Sequence, residues 1–406
     1  MRRATIIGGT ATCLFILLFA FQRSPNDAIN YEGPTVMLRH LNQRSDVGFD
    51  VKFEGDGGHF EASRGALRNA SGRHIVLYTS YRSGSSFTGE LFLQNPKIHY
   101  SFEPFKLLSL EPNAYARNEF LQAHFAQYSI DAFNCDYSRI YNDSRLLFPN
   151  ADKLRKTWTR RIFEQTVKRT PEAKDLESIE AQCKQHDIRV LKIIRGNHIN
   201  TVLPLMLNYN INVVILIRDP RAVVISRTEI EAEKAKKTLR QYIHSDPEVE
   251  KSILANTKSE CSRLSQLITF LKDAPKMFYF GKLHRVFGIV RYEDIAFNPL
   301  YMSQQIYRFL DLTYPDEVRD WVIDSTKSNA KEKGLDYTYS TKRNSRVTAE
   351  KWRTKIPYSL ALKMQDECTD VLTYLGYQLV SSNSQLNDLQ RSLVVEPSEF
   401  MHFRIH

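Results

Sequence analysis

Apolar positions along the chain gather into short continuous runs, separated by longer stretches with helical spacing. The runs are 74–80 (HIVLYTS), 98–103 (IHYSFE), 189–194 (RVLKII), 211–217 (INVVILI) and 289–292 (IVRY). Runs this short, rich in β-branched and aromatic residues, predict strands, and 211–217, nearly continuous in apolar residues, predicts one buried on both faces. Helical spacing predicts helices over 114–128, 152–168, 201–209 and 300–310, one beginning at Ala222, and one passing through Glu90, Leu91 and Phe92. Strands alternating with helices predict an α/β fold, a central parallel sheet with helices on both faces. Ligands of such sheets sit beyond the carboxyl ends of the strands, where the loops after Ser80 and Ile217 lie.

Two ends depart from this pattern. Arg2 and Arg3 precede an apolar run over 4–21, which as a helix spans roughly 27 Å, close to the thickness of a bilayer core. No small-x-small cleavage pattern follows, so the run predicts an uncleaved anchor, and the basic residues before it place the bulk of the chain on the far side of the membrane. The expected organisation is a cytoplasmic tail over 1–3, a transmembrane anchor over 4–21, a polar stem over 22–73, a folded domain over 74–380 and a polar, disordered tail over 381–406.

Among 406 residues, 42% are hydrophobic and 25% charged, a globular balance, and the formal charge of +10 favours acidic partners. Charge alone does not choose among nucleic acid, anionic lipid, phosphorylated cofactors and polyanionic glycans. Of five cysteines, Cys13 lies in the anchor, leaving Cys135, Cys183, Cys261 and Cys368 for an oxidising compartment. Four cysteines allow three pairings, and none has metal-ligand spacing to another, so no metal is expected. The sequons at Asn69 and Asn142 agree with a secreted domain.

Two loops carry the candidate chemistry. Residues 81–86 (YRSGSS) are a tight turn of small hydroxyl residues and one glycine between a strand and a helix, where several backbone N–H groups converge on an anion. Arg82 adds a permanently charged planar fork. Residues 215–227 (ILIRDPRAVVISR) bring Arg218 off the end of a buried strand, with Ser226 two turns further on. A guanidinium and a hydroxyl so placed can clamp a phosphate. Asp219 reads as a helix cap and Arg221 as a surface arginine.

These two segments, YRSGSSFTGELFLQNP and VVILIRDPRAVVISR, closely resemble the cofactor sites of the Golgi carbohydrate 6-O-sulfotransferases, which act on galactose, N-acetylglucosamine or N-acetylgalactosamine. The resemblance continues in FEPF (102–105), VRYEDIAFNP (290–299), YSTKRNSRV (339–347), Trp352-Arg353 and LGY (375–377), and spans about 73–380. It implies a nucleotide-binding sulfotransferase fold related to P-loop proteins, located in the Golgi membrane with its catalytic domain lumenal. It also implies a donor, 3′-phosphoadenosine 5′-phosphosulfate (PAPS), no metal, a glycan acceptor and no nucleic acid partner. Carried over, Arg82, Ser83, Gly84, Ser85, Ser86, Phe87 and Thr88 form the loop for the 5′-phosphosulfate, and Arg218 and Ser226 hold the 3′-phosphate. Arg82 stands where cytosolic relatives place a catalytic lysine, and since guanidinium keeps its proton, it acts electrostatically.

Transfer to an alcohol also needs a base, and the resemblance assigns Glu103. It follows a short strand expected to adjoin the opening unit and is held by Pro104, and a nearby arginine would keep it ionised. His99 is the rival, more in keeping with a structural histidine, and Glu90 reads as a solvated helix group. Arg343 and Ser345 are further candidates for cofactor or acceptor contact. The run 229–240 (EIEAEKAKKTLR) reads as one solvated helix face. The alternatives are an inactive membrane-tethered glycan-binding protein and a nucleotide-dependent kinase. The latter lacks G-x-x-x-x-G-K-[ST].

Overall fold

The computed structural model describes residues 72–103, 119–147, 175–194, 211–278, 287–327 and 345–395, with a few single positions between them. The predicted anchor, most of the stem, most of the predicted helices over 152–168 and 201–209, and Asn69, Pro104 and Arg343 lie outside the described residues. Among the described residues no helix is long and apolar enough to cross a membrane.

In chain order the elements are β1 (Arg73–Thr79), α1 (Ser85–Leu93), β2 (Ile98–Phe102), α2 (Glu119–Phe133), α3 (Tyr137–Leu147), α4 (Leu176–Lys184), β3 (Ile188–Ile193), β4 (Asn212–Ile217), α5 (Pro220–Lys234), α6 (Leu239–Ile243) and α7 (Pro247–Phe278). They continue with β5 (Phe287–Arg291), α8 (Tyr292–Phe297), α9 (Pro299–Phe309), α10 (Asp316–Lys327), α11 (Ser345–Glu350), a 3₁₀ turn (Lys351–Thr354), α12 (Tyr358–Asp366), α13 (Thr369–Tyr374) and α14 (Asn383–Asn387). The five strands form one sheet in the order β2-β3-β1-β4-β5, and every pairing is parallel. All five predicted strands are present, shifted by a residue or two.

Side chains alternate across the sheet and build two cores. Val76, Tyr78, Val213, Ile215 and Ile217 face one side, with Tyr128 and Phe133 of α2 and Leu264 and Leu267 of α7. Ile75, Leu77, Val214 and Leu216 face the other, with Leu91 and Phe92 of α1 and Ile306 and Tyr307 of α9. Burial on both faces is what makes the strand sequences continuously apolar.

Cys135 pairs with Cys183, and Cys261 with Cys368, which selects one of the three pairings open in the sequence. By loop-closure entropy the two bridges, across separations of 48 and 107 residues, stabilise by about 4 and about 5 kcal/mol.

Two expectations change here. The run 229–240 is not one helix face, because α5 ends at Lys234, Lys236 takes a left-handed φ of 54°, and α6 begins only at Leu239 behind a Thr238 cap. The tail is ordered through Val395. Arg353, wholly buried, donates to the carbonyls of Gln385, Leu386, Asp388 and Arg391 at 2.7–2.9 Å, and Leu386 and Leu393 enter a third core with Trp352 and Leu360. Five fixed donors suit Arg353 to gathering a loop rich in unpaired carbonyls.

Candidate functional site

The strand register aligns the carboxyl ends. Phe102 lies level with Lys192, Lys192 with Leu77, Leu77 with Val214 and Val214 with Gly288. Glu103, Ser80, Arg218 and Tyr292, the residues that follow β2, β1, β4 and β5, therefore emerge along one edge.

The loop from β1 turns into α1 through two left-handed residues, Arg82 (φ 72°) and Gly84 (φ 90°). Gly84 is required twice over: a Cβ there would stand 2.1 Å from Cδ2 of Tyr292. The amide of Ser83 donates to the carbonyl of Ser80 at 3.3 Å, and the hydroxyls of Ser80 and Ser83 lie 2.6 Å apart. No side chain caps α1 and no acidic residue occupies its first turn. Its N-terminal amides and dipole are thereby suited to an anion. Ser83, Ser85 and Thr88 are buried and Ser86 is exposed. Thr88 serves the helix itself, its amide and hydroxyl both directed at the carbonyl of Gly84. Phe87, half-buried, meets the ring of Trp321 at 5.1 Å.

The second loop closes onto the first. Arg82 Nε donates to Ser226 Oγ at 3.0 Å, and Arg218 donates to the carbonyl of Arg82 at 3.0 Å. Arg218 is buried, lies 4.7 Å from the centre of the Tyr292 ring, and reaches the carbonyls of Thr348 and Ala349 at 3.4 Å. Its Nε makes no hydrogen bond, with Glu293 Oε1 standing 4.0 Å away. A buried, unsatisfied N–H on a cation is costly to leave unpaired and fits an anionic ligand. Glu293 also accepts from the amide of Asp219 at 3.1 Å and from the Tyr377 hydroxyl at 3.0 Å. Burial pushes its carboxyl up to about 7, against the attraction of Arg218. Asp219 caps α5 through the amide of Arg221, as expected. Arg221 is not a surface residue: it is fully buried, bonded to Asp219, Gln365 and the carbonyl of Gln378, and stacked 5.2 Å from the Trp352 ring.

Glu103 ends β2 in a left-handed conformation, φ 45°. Non-glycine residues there carry strain of about 1–2 kcal/mol, and such strain clusters at functional sites. Its partner is Lys192 of β3, with Nζ 3.3 Å from Oε1 and both side chains buried, and Lys192 lies 4.3 Å from the centre of the Phe102 ring. Among the described residues the cation beside Glu103 is thus a lysine. β2 adjoins the opening unit through α1, with Ile98 and Tyr100 packed in one core with Leu91 and Phe92, while β3 lies between β2 and β1 in the sheet.

The rivals fall elsewhere. His99 is buried, with Nε2 2.8 Å from the Tyr137 hydroxyl, which also meets Ser101. Glu90 accepts from Gln94 along α1. Ser345 donates to the carbonyl of Ala296 at 2.6 Å, tying α11 to α8. Lys192, Tyr292 and Glu293 carry no role in the sequence reading, although a lysine inside a buried strand was a visible signal at Lys192. Among the described residues no group of His, Cys, Asp and Glu could hold a metal ion.

A parallel sheet whose carboxyl edge brings Arg82, Ser226 and Arg218 together defines a class, the α/β proteins that hold an anionic ligand beyond their strand ends. Within that class the chain belongs to the sulfotransferase domain family, which matches residues 72–376. Carbohydrate sulfotransferase 3 of Tetronarce californica is 28% identical over 352 residues, covering 79% of this chain and 76% of that one. Human carbohydrate sulfotransferase 5 is 28% identical over 347 residues, covering 79% and 82%. Among solved structures, retinol dehydratase in complex with androsterone and the inactive cofactor PAP aligns with a TM-score of 0.39 at 15% identity, over 76% of this chain and 82% of that one.

Proposed function

We propose that the protein transfers a sulfuryl group from PAPS to the 6-hydroxyl of a hexose or N-acetylhexosamine within a glycan. The observation that carries this reading is the convergence of Arg82, Ser226 and Arg218, whose buried Nε makes no hydrogen bond, on the sheet edge that also presents the buried carboxylate of Glu103. The sulfotransferase family and the carbohydrate sulfotransferases among its relatives support it.

The residues divide the work as follows. The first loop, 82–88, receives the 5′-phosphosulfate on its amides, and Arg218 with Ser226 receives the 3′-phosphate. Glu103 takes the proton of the acceptor hydroxyl as its oxygen bonds to sulfur. The bond from sulfur to the 5′-phosphate oxygen breaks, and Arg82 stabilises the charge left on that oxygen. Positioning and electrostatics supply most of the acceleration, by analogy with phosphoryl transfer. The apolar run over 4–21 and the two disulfides support a type II protein of the Golgi membrane with this domain lumenal.

The test incubates the full chain with sulfur-labelled PAPS and a panel of desulfated glycans. Label is expected at a 6-hydroxyl, and Glu103→Gln is expected to keep nucleotide binding while losing about 10²- to 10⁴-fold in kcat. Label on no acceptor, together with binding of ATP in preference to PAPS, refutes the reading.

A further inference from the structure

Beneath the first loop lies a charged group that the proposed mechanism does not use. Glu260, on α7 and only 4% exposed, accepts from Ser80 Oγ at 2.8 Å, from Arg227 at 2.9 Å and from Arg263 at 2.6 Å. Burial works to raise its carboxyl, but Arg263 and Arg227 outweigh that and hold it down at about 2. Its partners reach the first loop, the strand below it and the helix that carries Ser226. Ser80 bonds Ser83 inside the first loop, and Arg263 hydrogen-bonds Tyr78 on the strand below it. Arg227 follows Ser226 on α5 and donates through both Nε and a terminal nitrogen to the carbonyl of Tyr81. One carboxylate thus ties the floor of the first loop to the helix that carries the second cleft.

The base of this strut is fixed independently. Cys261, the next residue, is bridged to Cys368, and Leu264 and Leu267 of the same helix are buried in the core against the sheet.

We propose that Glu260 is a positioning residue that sets the separation of the two anion clefts, and so the preference for a nucleotide phosphorylated at both ends. The inference rests on the assignment of those clefts to the two ends of the donor. A nucleotide phosphorylated only at its 5′ end uses the first cleft and is indifferent to the spacing. A 3′,5′-bisphosphate gains its second contact only when the spacing is right. A group that merely stabilised the fold would weaken both ligands alike.

The experiment is calorimetric binding of adenosine 3′,5′-bisphosphate and adenosine 5′-monophosphate to the wild-type protein, Glu260→Gln and Ser80→Ala. Glu260→Gln keeps the shape and removes the charge. It should lower the bisphosphate-to-monophosphate affinity ratio by about 10-fold or more, the worth of a charged hydrogen bond, with monophosphate affinity changed by less than about 3-fold. Ser80→Ala cuts the tether to the loop while leaving the three charges paired, and should lower the ratio by a smaller factor even where Glu260→Gln fails to fold. A wild-type preference that survives in the folded variants, or equal weakening of both ligands, overturns the inference alone. A wild-type protein with no preference for the bisphosphate overturns the cleft assignment and this inference with it.

Discussion

Replacing Gly84 by alanine separates two demands that the first loop makes on one residue. The first is conformational: at φ 90° and ψ 9° an L-side chain costs about 1–2 kcal/mol. The second is spatial, since the new Cβ would stand 2.1, 2.6 and 2.8 Å from three carbons of the Tyr292 ring, which forces the ring aside at about 1–3 kcal/mol. The sum is about 2–5 kcal/mol, measurable by equilibrium urea unfolding. Only the second demand depends on Tyr292, so in a cycle with Tyr292→Ala and the double variant the coupling energy should be about 1–3 kcal/mol. The displaced ring also lies against the guanidinium of Arg218, so the donor KM of Gly84→Ala should rise with little change in acceptor KM. Strict additivity, or a Gly84→Ala protein with wild-type stability and donor KM, refutes the account of this turn.

Two further outcomes follow from the buried charges. Lys192→Met leaves Glu103 buried without its ammonium and should destabilise by about 3–5 kcal/mol, and the added change Glu103→Gln should restore much of that loss in urea unfolding; a double variant no more stable than Lys192→Met contradicts the pairing. Glu293 titrates near 7 in the fold and at the ordinary carboxyl value of 4.5 once unfolded, so between those values the folded form holds a proton that the unfolded form has lost, and this group's stabilising effect declines as pH rises from 4.5 through 7. Ionised Glu293 also competes for Arg218, so donor KM should rise with pH across the same window and level off in Glu293→Gln; an unchanged profile in that variant removes Glu293 from the site.

The sheet was legible because strands covered on both faces are largely apolar, most plainly β1 and β4, although β2 and β3 also bury His99, Ser101, Arg189 and Lys192. Helices were less so. α7, 32 residues long, went unrecognised because its buried stripe, Ile253, Cys261, Leu264, Ile268 and Leu271, is interrupted by the polar residues Thr257 and Glu260, which are also buried. Arg82, Gly84, Arg218 and Ser226 could be singled out because they fall within two short segments, and the structure brings those segments together. Glu260, Lys192 and Glu293 were not, since each acts on a loop at least 70 residues away in sequence, and only the folded sheet brings them together. Arg221 misled because an arginine in the first turn of a helix is ordinarily solvated, whereas here Trp352 and the 378 carbonyl enclose it.

The strand order gives the sheet a further use, that of a ruler. With β3 between β1 and β2, the backbone that carries Glu103 stands two strand spacings, about 10 Å, from the backbone that carries the Ser80 loop. That gap is set by main-chain hydrogen bonds, which no single substitution of a side chain can shorten. Under the proposed reaction the Glu103 side chain and the donor would close that gap from opposite sides, so the strand spacing would set how an acceptor hydroxyl is held between them.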